Sequence, residues 1–194
     1  MNEPFSLFGL PTTPLELIAF LLSVATVVLT IRQQHWAWLF TIASSALYGV
    51  VFFDARLYGD MALQLVFICA AVWGWYQWLR GGAGHGALGV SRLSRRGLAA
   101  GAVGWAMGYL LLFLFLRHFT NTDVPHADGF LTAGSLLGQL LVARKKIENW
   151  HTWIVVDVLY VGLYLYKQLY LTAILYGVFV VLAILGLRAW RKAL

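Results

Sequence analysis

Seven apolar runs fill most of this 194-residue chain, and they constrain its fold more than any motif does. They lie at residues 14–31, 36–53, 60–79, 97–116, 127–143, 150–166 and 170–187. A helix needs about 20 residues to cross roughly 30 Å of hydrocarbon. Each run is close to that length, so the sequence predicts an all-α integral membrane protein with seven transmembrane helices.

The composition excludes a soluble domain. Only 11% of the residues are charged and 61% are apolar, whereas soluble domains carry about 25% charged residues. The chain left over outside the seven runs is too short for a separate catalytic domain, so the lipid bilayer is the predicted surrounding. In a membrane protein the net charge of +6 reflects basic residues in the cytoplasmic loops. No nucleic-acid partner is therefore expected.

The basic residues are distributed unevenly between the two sides of the seven-helix arrangement. Eleven of the fourteen fall on the side that holds the C-terminus, and only Arg56, Arg117 and Lys167 fall on the other. Cytoplasmic loops of membrane proteins are enriched in Lys and Arg. We therefore predict an external N-terminus and a cytoplasmic C-terminus.

The chain contains an internal repeat. A shift of 112 residues aligns 15–80 with 127–192 and gives fifteen identities in sixty-six positions. The identical pairs include Ser23/Ser135, Trp38/Trp150, Tyr48/Tyr160, Gly74/Gly186 and Trp78/Trp190. Each copy holds three helices, and the intervening segment 81–126 holds a linker, the single helix 97–116 and an outer loop. Three helices plus one return the chain to its starting side, which predicts a 3+1+3 arrangement of parallel three-helix repeats, a symmetry found in transporters.

The segment 81–96 is rich in glycine and ends in three arginines, and it is predicted to be a flexible linker. The five histidines are scattered without metal-ligand spacing, and no nucleotide-binding loop is present. The sequence therefore predicts neither a metal nor a cofactor, and no ATP hydrolysis by the chain itself.

Asp157 is the strongest candidate for a functional residue, because an aspartate in the middle of a span costs roughly 2.5–3.5 kcal/mol to insert. Trp150, Trp153, Tyr160 and Tyr164 share its face of the predicted helix. Trp38 and Tyr48 occupy the equivalent face of the second helix. Since indole faces attract cations, these two faces predict a binding site for a flat, cationic ligand.

Other candidates have a structural alternative. Trp38 and Trp150 also fit an interfacial belt, and Trp78 is expected to anchor the chain at the membrane edge. The amides of Gln64 and Gln139, with Tyr176 at the repeat position of Gln64, fit either ligand binding or hydrogen bonding between helices. Ser44 is a weaker candidate, because a serine in a span usually donates to its own i−4 carbonyl.

Three stretches resemble the PnuC family of nicotinamide riboside transporters. They are Phe52–Tyr58, Gly74–Trp78 and, above all, Arg144–Trp153, which contains a sequence similar to the family's E-N-W-x-x-W signature. The resemblance covers about residues 15–192. It implies a fold similar to the SWEET sugar transporters, a location in a bacterial inner membrane, and facilitated diffusion of a vitamin precursor that a cytoplasmic kinase traps by phosphorylation.

The resemblance also implies site residues. It places ligand contacts at Asn149, Trp150 and Trp153, and at Gln64 in the third helix. Family members often have Asn at the positions of Asp157 and Ser44, and the added anion at Asp157 favours a permanently cationic substrate. Nicotinamide riboside and thiamine both satisfy this, and the sequence leaves the choice open.

Two other classes of protein compete with the transporter. A seven-helix receptor of the opsin type is disfavoured, because residues 170–187 contain no lysine for a Schiff base. An enzyme is not predicted, since one isolated carboxylate provides no acid–base pair. Coupling to protons or sodium stays open, and a homo-oligomer is compatible with the sequence.

Overall fold

A computed structural model describes residues 5–7, 10–54, 58–120, 122–167 and 170–194. These residues form seven α-helices, as predicted: α1 (Pro14–Ile31), α2 (Ala37–Asp54), α3 (Tyr58–Arg80), α4 (Arg95–Phe119), α5 (Pro125–Ala143), α6 (Glu148–Tyr166) and α7 (Tyr170–Arg191). A short antiparallel hairpin of β1 (Phe5–Leu7) and β2 (Leu10–Thr12) precedes α1 and was not predicted. Arg56 of the predicted external side and Leu57 of the stretch Phe52–Tyr58 lie outside the described residues, as do Gln168 and Leu169.

Helices α3 to α7 extend slightly beyond their apolar runs, whereas α1 coincides with its run and α2 is shifted by one residue. α4 begins at Arg95, where the Ser94 hydroxyl accepts a hydrogen bond from the Gly97 amide at 3.1 Å and caps the first turn. α5 begins with Pro125, which has no amide hydrogen and is suited to the first turn of a helix. Polar residues at the helix ends thus complete turns that the apolar pattern does not include.

The chain divides into two compact units, residues 1–88 and 89–194. In the first unit, α2 packs against both α1 and α3. In the second unit, α5 packs against α4 and α6, and α6 packs against α7. Each unit therefore contains a three-helix bundle in chain order, and α4 joins the second bundle through α5.

Many large apolar side chains are exposed. α4 has no buried residue, and Leu111 on this helix is 65% exposed. In the part of the chain that the structure describes, α4 and Thr172–Arg191 are the two helices that are long and apolar enough to cross a membrane on length and composition alone. Exposed apolar surface of this kind is stable where lipid covers it.

The end of the linker is ordered, contrary to the prediction of a flexible segment throughout 81–96. Ser91 forms a parallel β-bridge with Lys146, in the loop between α5 and α6. Its amide donates to the Lys145 carbonyl and its carbonyl accepts from the Ile147 amide, both at 3.0 Å. The prediction was wrong for this stretch because a glycine-rich composition does not reveal backbone pairing with a distant loop.

Candidate functional site

A tryptophan of α6 fits over a glycine of α7. Trp150 is only 2% exposed, and its ring meets that of Trp190 edge to face at 5.3 Å and 87°. A Cβ atom added at Gly186 would lie 2.5–2.6 Å from three atoms of the Trp150 ring. The absence of a side chain at Gly186 therefore lets the indole lie directly against the α7 backbone. We call Trp150, Gly186 and Trp190 the second tryptophan lock.

The first unit contains the same arrangement. Trp38 meets Trp78 edge to face at 5.4 Å and 87°, and a Cβ atom at Gly74 would lie 2.4–2.7 Å from the Trp38 ring, with the lowest value to Cη2. These three residues, the first tryptophan lock, are each 112 positions before their counterparts. The repeat in the sequence is thus matched by a repeat in packing geometry.

The two tryptophan locks account for the burial of Trp38, Trp78, Trp150 and Trp190. Trp38 and Trp150 are each buried inside their own unit, which does not fit an interfacial belt. Trp78 is 2% exposed, so the expectation that it anchors the membrane edge was wrong. Within the described residues, the indole nitrogens of Trp38 and Trp150 are buried and have no hydrogen-bond partner.

Asp157 lies near the middle of α6 and is 4% exposed. No hydrogen bond or ion pair joins its carboxylate to another of the described residues. It lies close enough to Tyr160 and Tyr176 to interact with both electrostatically. A buried carboxylate without a cation or hydrogen-bond donor is unfavourable, and this is the feature expected of a site completed by its ligand.

Three tyrosines form an aromatic cluster beside Asp157. Tyr160 stacks on Tyr164 at 5.6 Å and 13°, and the Tyr176 ring of α7 lies 4.7 Å from the first and 5.1 Å from the second. The Ser135 hydroxyl of α5 donates to the Leu131 carbonyl at 2.9 Å, and it lies close enough to Tyr160 to interact with it. We call Tyr160, Tyr164 and Tyr176 the tyrosine cluster. It offers aromatic faces and hydroxyls next to the carboxylate.

Trp153 lies three residues after Trp150 on α6 and contacts α5. A Cβ atom added at Gly138 of α5 would lie 2.9 Å from Cε2 of the Trp153 ring. Trp150 contacts α7, so the two indoles of the signature pack against different neighbouring helices. Residues three positions apart are separated by only about 60° around a helix, so the two indoles project from neighbouring parts of the α6 face that carries Asp157.

Asn149 is completely buried at the start of α6. Its side-chain amide donates to the Lys146 carbonyl at 2.6 Å, and its Oδ1 atom has no partner among the described residues. Like Asp157, this residue therefore presents a buried acceptor that a ligand or water would satisfy.

The remaining predicted residues are distributed between the units. Ser44 is buried between α1 and α2, where its hydroxyl lies 2.8 Å from that of Ser23 and 3.4 Å from the Ala19 carbonyl. Gln64 of α3 lies beside Gly49 of α2, and Gly49 directly follows Tyr48 in the sequence. Gln139 is half-buried on α5. Ser44 thus joins two helices of the first unit, while Asp157, Asn149, Tyr160 and Tyr176 all belong to the second.

An open groove of about 530 Å³ lies elsewhere in the second unit. It contains none of the predicted site residues, and its lining consists of Tyr109, His126, Ala127, Phe130, Leu131, Leu159, Gly162 and Leu163. The Tyr109 hydroxyl lies 2.9 Å from Nδ1 of His126, so the two polar groups of the groove already pair with each other. The groove is therefore a weaker candidate for a ligand site than the surroundings of Asp157.

Two residues near the site were not predicted to belong to it. Ser135 could have been found from its pairing with Ser23 in the repeat, but the contact with Tyr160 depends on how α5 and α6 pack. Glu148 stands in the signature, where its carboxylate accepts a hydrogen bond from the Leu93 amide at 3.1 Å. The acidic residue of the signature thus holds the linker.

The chain is similar to known proteins over nearly its whole length. The family model described as "Nicotinamide mononucleotide transporter" matches residues 13–192. A riboflavin/roseoflavin transporter, RibM of Streptomyces davaonensis, is 28% identical over 97% of this chain and 90% of its own length. The nicotinamide riboside transporter PnuC of Escherichia coli is 22% identical over 98% of this chain and 90% of its own length.

The fold also matches a solved structure. The crystal structure of the vitamin B3 transporter PnuC superposes with a TM-score of 0.73 at 23% identity, and the match covers 92% of this chain and 81% of that one. At this level of identity the match supports the fold, including the seven-helix 3+1+3 arrangement, and does not define the substrate.

Proposed function

Because this chain belongs to the nicotinamide mononucleotide transporter family, we propose that it carries nicotinamide riboside across the membrane by facilitated diffusion. The chain is a multi-pass membrane transporter and not an enzyme. In the proposed orientation the N-terminus is external and the C-terminus is cytoplasmic, in a bacterial inner membrane. A cytoplasmic kinase would then retain the imported substrate by phosphorylation.

The observation that carries the choice of substrate is Asp157. Its buried carboxylate has no partner in the described part of the chain, and the pyridinium ring of nicotinamide riboside bears a permanent positive charge. The tyrosine cluster adds aromatic faces that attract cations, each worth about 0.5–2 kcal/mol. A cationic heteroaromatic ring therefore matches both the charge and the aromatic surface of this region.

A flavin is the second candidate, favoured by the similarity to the riboflavin/roseoflavin transporter. A neutral flavin ring can also stack on the tyrosine cluster, but it does not need the Asp157 charge. Thiamine, a cation like nicotinamide riboside, is the third candidate. The charge at Asp157 favours the cations nicotinamide riboside and thiamine over a neutral flavin.

The test is uptake by purified protein in liposomes with labelled nicotinamide riboside, riboflavin or thiamine. We expect uptake of nicotinamide riboside, and we expect Asp157→Asn to weaken it at least tenfold, because the amide keeps the shape and removes the charge. Tyr109→Phe, in the separate groove, is the matched control and should retain uptake. Transport of riboflavin alone, unaffected by Asp157→Asn, would replace the proposal with a flavin transporter.

The same vesicles test the mechanism. With no ATP-hydrolysing motif in the sequence, the substrate gradient alone is proposed to drive transport. Internal and external concentrations should become equal, and a pH gradient should not change that end point. A steady internal excess that a protonophore abolishes would show proton coupling.

A further inference from the structure

The ordered end of the linker is bound to the loop that begins α6. Besides the backbone pairing of Ser91 with Lys145 and Ile147, two side chains hold this segment. The Lys146 ammonium donates to the Ser91 hydroxyl at 2.8 Å, and the Leu93 amide donates to the Glu148 carboxylate at 3.1 Å. We call Ser91, Lys146 and Glu148 the linker clasp.

The clasp is connected directly to predicted site residues. The Lys146 carbonyl accepts hydrogen bonds from the backbone amide of Asn149 at 3.1 Å and from its side-chain amide at 2.6 Å. The Trp150 amide donates to the Ile147 carbonyl at 3.2 Å. A shift of the Lys146–Glu148 backbone would therefore move Asn149 and Trp150 as well.

The equivalent loop of the first unit shows that the loop itself does not require a clasp. Gln33 and Lys145 are repeat partners, with φ angles of +55° and +47°. Their amides donate to the carbonyls of Thr30 and Val142, each at 2.9 Å. Yet Gln34 and Trp36 occupy the positions of Lys146 and Glu148, and within the described residues no linker backbone pairs with the first loop.

We propose that Ser91, Lys146 and Glu148 are positioning residues, which hold the Asn149–Trp150 start of α6 in the geometry needed for substrate binding. This inference rests on the proposed transport function. The loop keeps its shape without a clasp in the first unit, so the extra contacts in the second unit serve the placement of the following helix. Small displacements of binding groups are enough to weaken recognition strongly.

The experiment compares Glu148→Ala with Glu148→Gln in the full chain in liposomes. Glu148→Ala removes the acceptor for the Leu93 amide and should raise the KM for transport about tenfold with little change in maximal rate. Glu148→Gln keeps an acceptor oxygen and should stay within about twofold of the wild type. Gln34→Ala, at the first-unit position equivalent to Lys146, is the matched control and should leave KM unchanged.

Hydrogen exchange provides a readout that does not depend on the substrate. The Leu93 amide should exchange about tenfold faster in Glu148→Ala than in the wild type and should be restored in Glu148→Gln. Unchanged exchange would show that the clasp does not hold the linker. Faster exchange with an unchanged KM would show that it has no positioning role.

The substrate carried by the wild-type protein distinguishes a failure of this inference from a failure of the proposed function. If it carries riboflavin or thiamine instead of nicotinamide riboside, the substrate proposal fails, and the KM comparison is made with the substrate that is carried. The positioning role is then supported or overturned by the same tenfold criterion.

Discussion

Gly186→Ala tests whether the second tryptophan lock depends on the missing side chain. The new Cβ atom would lie 2.5 Å from Cη2 of Trp150. Trp150 is 2% exposed and is held against Trp190, so the ring has little room to move. Overpacking of this kind costs about 1–3 kcal/mol, while replacing a helical glycine by alanine recovers about 0.5–1 kcal/mol. We expect a net destabilisation of about 1–2 kcal/mol.

The assay is thermal unfolding in detergent, followed by circular dichroism. The expected loss corresponds to a fall in Tm of about 2–8 °C for a chain of this size. Gly177→Ala on the same helix is the matched control, because a Cβ atom there meets nothing within 4 Å. It should raise Tm, since only the gain in helix propensity remains.

Introducing Gly186→Ala into the Trp150→Phe variant tests whether the loss of Tm has a steric cause. Trp150→Phe removes the outer ring atoms that the new Cβ atom would meet, so Gly186→Ala should become neutral or stabilising in that background. An equal loss of Tm in both backgrounds, or a gain like that of Gly177→Ala, would refute the steric explanation.

Two further predictions concern the second unit. Burial lowers the pKa of Lys145 below its usual value of 10.5. Between the lowered pKa and 10.5 the unfolded state binds more protons than the folded state, so wild-type stability should rise with pH across that window. Lys145→Gln should therefore raise Tm at pH 7 and lose this advantage towards pH 10, whereas parallel pH profiles of the two proteins would contradict the assignment. Trp153→Leu should weaken substrate binding in liposomes at least fivefold. The control is Trp105→Leu, which removes another indole packed over a glycine of α5 and should leave binding unchanged. Equal losses in the two variants would mean that Trp153 serves only in packing.

The sequence predicts the helices well because their apolar runs are long and the charged breaks between them are clear. It also predicts which residues of the two repeats correspond, and the tryptophan locks show matched geometry at those positions. It does not predict that Trp150 and Trp153 contact different helices, because the neighbour of each face depends on how α5 and α7 pack around α6. The division into 15–80, 81–126 and 127–192 stays a prediction.

The sequence singles out Asp157, because an intramembrane carboxylate is costly and points to function; its role in substrate binding stays a prediction. The role of Glu148 was not predictable. Its partner, the Leu93 amide, lies 55 positions earlier in the chain, and a backbone amide carries no residue-specific signal. The same applies to Ser91, whose pairing depends on the backbone of the loop after α5.

The tryptophan locks restrict how the helices can move during a transport cycle. Packed helices can slide along each other only if their surfaces are smooth enough for side chains to pass, as in a shear motion. An indole lying in the gap above Gly74 or Gly186 blocks such sliding, because any axial shift would drive the ring into the side chains of the next helical turn. Helices α2 and α3, and likewise α6 and α7, should therefore travel as rigid pairs, with the angular change of the cycle concentrated in hinges outside them.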